Sequence, residues 1–61
     1  MSKEENITVI INGHSKIWHD RDKAIHAYEL LWARTQMGEP RYNTYYSILK
    51  ALYRGDNICR G

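Results

Sequence analysis

A small α+β domain, a β-hairpin followed by two helices (ββαα), is the fold class this sequence predicts. Three observations lead to it. A β-branched run, ITVII at residues 7–11, ends on Asn12-Gly13. Two longer segments then carry apolar residues at helical spacing. Pro and Gly stand at the ends of those segments, where helices start and stop.

The first element follows from residues 7–11. Val and Ile suit a pleated strand, with Ile7, Val9 and Ile11 on one face and Thr8 and Ile10 on the other. Asn-Gly between apolar runs marks a tight hairpin, because both residues tolerate positive φ. The return strand is HSKIWH, residues 14–19. Two registers are open. A two-residue loop places Lys16 and Trp18 with Ile7, Val9 and Ile11. A three-residue loop with a bulge places Ile17 and His19 there instead. The second face is more apolar and is favoured on that ground; a one-residue slip exchanges Ile17 and Trp18 between core and solvent.

Residues 20–38, DRDKAIHAYELLWARTQMG, predict the first helix. Asp20 or Asp22 suits its N-cap, where a carboxylate meets free amides and the positive end of the helix dipole. Ala24, Ile25, Tyr28, Leu31, Trp32 and Thr35 recur at helical spacing as its buried stripe, Leu30 falls beside it, and Gly38 suits the position after its end. The second helix begins at Glu39-Pro40 and ends at Gly55. Its apolar arc is Tyr42, Tyr45, Tyr46, Ile48, Leu49, Leu52 and Tyr53. DNIC, residues 56–59, can add a short C-terminal third strand with Ile58 buried. Both helices are expected on one sheet face, residues 7–61 form the single domain, and residues 1–6 are expected to be a flexible N-terminus.

At 61 residues the chain supports one small core. Such domains bury only about 60% of their unfolded surface and often rely on a disulfide, a metal or a second copy. One cysteine, Cys59, excludes an intrachain disulfide and suits a reducing cytoplasm. No apolar run approaches the about 20 residues needed to cross a bilayer, so no membrane partner is expected.

His14, His19 and His26 lack the close pairing of a zinc motif, so no metal is expected. The four glycines form no phosphate-binding loop, and no cofactor or small-molecule substrate is implied. Cys59 has no Cys–His signature around it. These points together argue against an enzyme.

Two binding readings remain. Five Tyr and two Trp exceed what two short helices easily bury. Trp32, Tyr42, Tyr46 and Tyr53 are therefore candidates for a protein-interaction or self-associating surface, a homodimer included. The alternative is a weak, sequence-tolerant DNA-binding role. PRYNTYYSILKALYRG, residues 40–55, holds three cations and no acid, and Arg41, Asn43, Ser47, Lys50 and Arg54 fall on its polar side with Thr44 and Ala51. Those polar side chains are of the kinds that contact phosphates and bases. The charge balance is only mildly uneven. Residues 1–39 carry five Lys/Arg against six Asp/Glu, and residues 40–61 carry four against one. Three cations neutralise about three phosphates at most, which supports weak, salt-sensitive binding.

The order INGHSKIWHDRDKAIHAYE, then RYNTYYSILKALYRGDNIC, resembles a group of short uncharacterised proteins encoded by Firmicutes, often on mobile elements. The shared features are the strand with Asn-Gly, the Asp-Arg-Asp-Lys-Ala-Ile helix opening, the Arg-Tyr start of the second helix and a closing Gly-x-x-Ile-Cys. They span residues 7–59 and are structural in kind. RTQMGEP, residues 34–40, is less acidic and poorer in Ser than that group. The resemblance implies a bacterial or phage origin and an accessory role, with no activity to carry over.

Overall fold

A computed structural model of the chain describes residues 5–61. Residues 1–4 of the segment expected to be flexible lie outside the described residues. The elements run β1 (Ile7–Ile11), β2 (His14–Trp18), α1 (Arg21–Arg34), α2 (Pro40–Arg54) and β3 (Ile58–Arg60). This is the expected α+β fold in ββαα order, with the short third strand present.

The sheet order is β2-β1-β3, so the first strand is the central one. β2 pairs with it antiparallel and β3 parallel. The hairpin register corrects the favoured expectation. Ile7 faces Trp18, Val9 faces Lys16 and Ile11 faces His14, which leaves the two-residue loop Asn12-Gly13. Asn12 at φ 53° and Gly13 at φ 80° adopt the left-handed pair that a type I′ turn requires. Turn geometry therefore outweighs the count of apolar side chains. Trp18 goes to the inner face, and Lys16 is accommodated beside it with its ammonium 4.4 Å from the indole centroid. Ile17 is turned outward and is 58% exposed.

The same alternation corrects β3. Thr8 faces Ile58 and Val9 faces Cys59, so Cys59 shares the inner side with Ile7 and Val9. Cys59 is fully buried, while Ile58, expected inside, is 62% exposed.

α1 opens at Asp20, whose Oδ1 accepts from the amides of Asp22 (3.0 Å) and Lys23 (3.3 Å). It ends earlier than expected. Thr35 is its C-cap, and Gly38, at φ 101°, belongs to the interhelical turn instead. Leu31, expected in the stripe, remains partly exposed, because Tyr28 and Trp32 fill the contact with α2.

α2 begins at Pro40 and ends at Gly55, at φ 99°. The Gly55 amide bonds Ala51 and Leu52 carbonyls, and the Asp56 amide returns to Ala51. This left-handed ending suits glycine best, which has no Cβ to oppose a positive φ. Ile48, Leu49 and Leu52 are buried as expected. Ala51, expected on the polar side, is buried too, since α2 also leans on β3.

The core comprises Ile7, Val9, Ala24, Tyr28, Ile48, Leu49, Ala51, Leu52 and Cys59. It lies between the helix pair and one sheet face. Arg21, at the start of α1, closes it from the side. Its guanidinium donates to the carbonyls of Leu52 (2.8 Å), Asp56 (3.1 Å) and Gly55 (3.3 Å) and to Asn57 Oδ1 (3.1 Å). The start of one helix thus satisfies the end of the other.

Candidate binding surfaces

The aromatic candidates separate into a cluster and an outlier. Trp32 and Tyr42 rings lie 5.2 Å apart, and Trp32 stacks on Tyr46 at 6.0 Å. Positions 42 and 46 are one turn apart on α2, so both meet the same indole. Trp32 and Tyr42 are half-buried by this contact, and Tyr46 keeps 48% of its surface. Tyr53 is not part of the cluster. It is 63% exposed, and its hydroxyl donates to the Glu29 carboxylate, which holds the phenol above its ordinary pKa.

A second chain of rings runs deeper. Trp18 meets Tyr28 edge-on at 5.7 Å, and Tyr28 meets Tyr45 at 6.2 Å. The Trp18 indole donates weakly to the Tyr28 hydroxyl at 3.4 Å. Burial raises the Tyr28 pKa, partly offset by that donation. These rings are structural.

The Trp32 indole nitrogen is buried with no hydrogen-bond partner among the described residues. Leaving such a donor unmade costs about 1–3 kcal/mol. Trp32→Phe keeps a ring in the stack and removes that donor. Its expected effect on urea unfolding is under about 1 kcal/mol, against about 3 kcal/mol for Trp32→Ala. An equal loss in both variants would assign the indole N–H a role in stability.

The polar candidates on α2 are all exposed. Asn43, Ser47, Lys50 and Arg54 recur at steps of four, three and four, which sets them in one line along the helix. Arg41 stands apart from that line and pairs with Glu39 at 3.3 Å. Arg54 grips Asp56 through Nε (3.3 Å) and Nη2 (2.9 Å). Lys50 has no carboxylate partner among the described residues; its ammonium lies 5.5 Å from the Tyr46 centroid.

Ser47, Lys50 and Arg54 line a concavity of about 370 Å³ together with Ala51, Asp56, Ile58 and Arg60. Asp56, Ile58 and Arg60 come from β3 and its approach, and sequence reasoning did not include them. Residues 56–61 carry one Asp and one Arg, so their charge gave no signal; these side chains join the site only once β3 is folded back beside α2.

Sequence reasoning also missed the outer face of the sheet. Both helices cover one side. The other carries Thr8 and Ile10 from β1, Ser15 and Ile17 from β2, and Ile58 and Arg60 from β3. The row Ile17–Thr8–Ile58 crosses all three strands, with Ile10 half-buried in the next row.

His14 and His26 are exposed, and His19 Nδ1 lies 3.3 Å from the Glu5 carbonyl. No group of three His, Cys, Asp or Glu side chains among the described residues is placed to hold a metal ion. Burial pushes the Cys59 thiol up, Arg21 nearby opposes this, and Asp56 adds to it. No helix among the described residues is long and apolar enough to cross a membrane.

Comparison with family models, with curated proteins and with solved structures finds no match to this chain.

Proposed function

We propose that this protein is a small non-catalytic interaction module that self-associates through the outer face of its sheet. The observation that carries the reading is the uncovered row of Ile17 and Ile58, with Ile10 beside it. A sheet with one wet face ordinarily turns polar residues to the water. Here the water side holds three isoleucines.

A second copy is the occupant we infer. The row has an isoleucine at each end of the sheet and a small Thr8 at its centre, so a two-fold packing sets Ile17 of one copy near Ile58 of the other. Three strands and five residues give a footprint of about 14 by 17 Å. That is below the roughly 1,200 Å² of a standard stable interface, so the association is weak and concentration-dependent. The aromatic cluster supports partner binding less strongly, because Trp32 and Tyr42 already cover each other. A buried thiol with its thiolate disfavoured supports binding over chemistry. It also suits a reducing cytoplasm, and the accessory role in a bacterium or phage rests on the sequence resemblance.

Sedimentation equilibrium tests the reading. The wild type is expected to dimerise with a Kd on the order of 10–100 µM, and Ile17→Lys to stay monomeric. A wild type that remains monomeric at millimolar concentration would sink the proposal.

The DNA-binding reading has one observation in its favour, the exposed line Asn43, Ser47, Lys50 and Arg54. Two of the three α2 cations are engaged by carboxylates. Weak association with random duplex DNA at low salt, lost by about 150 mM, is the most such a surface supports. Comparison with the double variant Lys50→Ala/Arg54→Ala measures it.

A further inference from the structure

We propose that the groove between α2 and the free edge of β3 takes an extended acidic peptide as a fourth strand of the sheet. The groove shares Ile58 and Arg60 with the outer face, but the backbone edge and the α2 wall are its own, so it is tested separately from self-association.

The backbone supplies the first argument. Asn57 accepts from the Thr8 amide at 2.8 Å, and the Gly61 amide donates to Ile10 at 3.0 Å. With Cys59 paired opposite Val9, residues 57, 59 and 61 turn their backbone groups toward β1. Ile58 and Arg60 therefore turn both amide and carbonyl the other way, along the open edge. Unpaired donors and acceptors in alternation are the template for an added strand.

The side chains supply the second argument. The concavity beside this edge is walled by Ser47, Lys50 and Arg54, floored by Ala51, and bounded by Ile58 and Arg60. It holds three cations against one carboxylate, Asp56, which Arg54 already grips with two hydrogen bonds. Gly61, just past β3, packs against Thr44 of α2, with no room for a Cβ between them.

The pleat then dictates the ligand's pattern. Side chains of an added strand alternate between the helix side and the outer side. Those on the helix side meet Lys50 and Arg54, so carboxylates fit. Those on the outer side meet Ile58 and Arg60, so β-branched apolar groups fit beside Ile58 and the Arg60 stem. The edge's two carbonyl oxygens argue against a phosphate chain, which has no donors to offer them.

The probe is a labelled, capped Glu-Val-Glu-Val-Glu peptide, followed by fluorescence anisotropy with the full chain at 150 mM salt. We expect saturable binding and slower hydrogen exchange at the Ile58 and Arg60 amides. Lys50→Glu, on an exposed position, is expected to weaken binding at least about tenfold with unchanged circular dichroism. A peptide N-methylated at alternate residues is expected not to bind. Absence of binding by the unmodified peptide overturns the inference, as does binding indifferent to N-methylation. Displacement of the peptide by random duplex DNA at lower concentration would assign the groove to nucleic acid instead. A monomer that binds the peptide keeps this inference and removes the self-association reading; a dimer that ignores the peptide does the reverse.

Discussion

Arg21→Ala is expected to lower the stability of this domain by about 2–3 kcal/mol, a loss of roughly 10–20 °C in melting temperature at this chain length. Among the described residues Arg21 makes most of the side-chain hydrogen bonds to the carbonyl end of α2, and the Cys59 thiol adds one weak donation to the Asp56 carbonyl. Arg21 reaches three backbone carbonyls and one side-chain amide oxygen within 3.3 Å. Helix ends leave carbonyls unsatisfied, and the dipole there favours a cation. The guanidinium meets both needs, and its planar fork serves several acceptors at once. Lysine is a point charge on a flexible stem, so Arg21→Lys is expected to recover less than half of the loss. The Glu5 contact, at 3.7 Å and partly exposed, adds little. Thermal unfolding followed by circular dichroism compares the three proteins. Equal melting temperatures for Arg21→Lys and wild type would show that charge alone suffices.

Leu52→Ala is expected to cost about 2–5 kcal/mol. Leu52 has no exposed surface and sits in the core with Ile48 and Cys59. A domain of this length has about 3–9 kcal/mol of stability in all. The variant is therefore expected to be largely unfolded at 37 °C. Its neighbour gives the control. Tyr53 is exposed and touches Glu29, and Tyr53→Ala is expected to change stability by less than about 0.5 kcal/mol. Urea titration of both variants reads the contrast between adjacent positions. A comparable loss from both would mean that α2 is held differently from the packing described.

Much of the architecture was legible because local chemistry and the fold agree. Asn12-Gly13, Asp20, Pro40 and Gly55 each stand where the backbone needs them. The failures share a cause. Ile17 and Ile58 were assigned by hydrophobicity, yet strand register decides which way they point. For Ile17 the register is set by the turn, and for Ile58 by pairing with β1, 50 residues earlier in the chain. Ala51 was placed by the helical wheel of α2 alone, before β3 came to lie against it. Arg21 drew no expectation, since nothing in its own helix reveals that its acceptors lie more than 30 residues away. The binding candidates fared likewise. The line of Asn43, Ser47, Lys50 and Arg54 follows from helical spacing, but Arg60 joins it only through the tertiary fold.

The placing of β1 at the middle of the sheet has a consequence for synthesis. The strand made first is flanked on one side by the next strand and on the other by the last. The hairpin's contacts are local in sequence and become available before those of β3. The second edge of β1 stays open until residues 58–60 have also emerged. Through that interval a β-branched strand with unpaired backbone is exposed to neighbouring nascent chains, the usual route to misassembly. The β1–β3 pairing joins residues 50 apart in sequence, and long-range pairing of this kind slows folding. A chain with β3 disrupted is thus expected to fail first in cells, as aggregate, before its loss of contacts is felt in dilute solution.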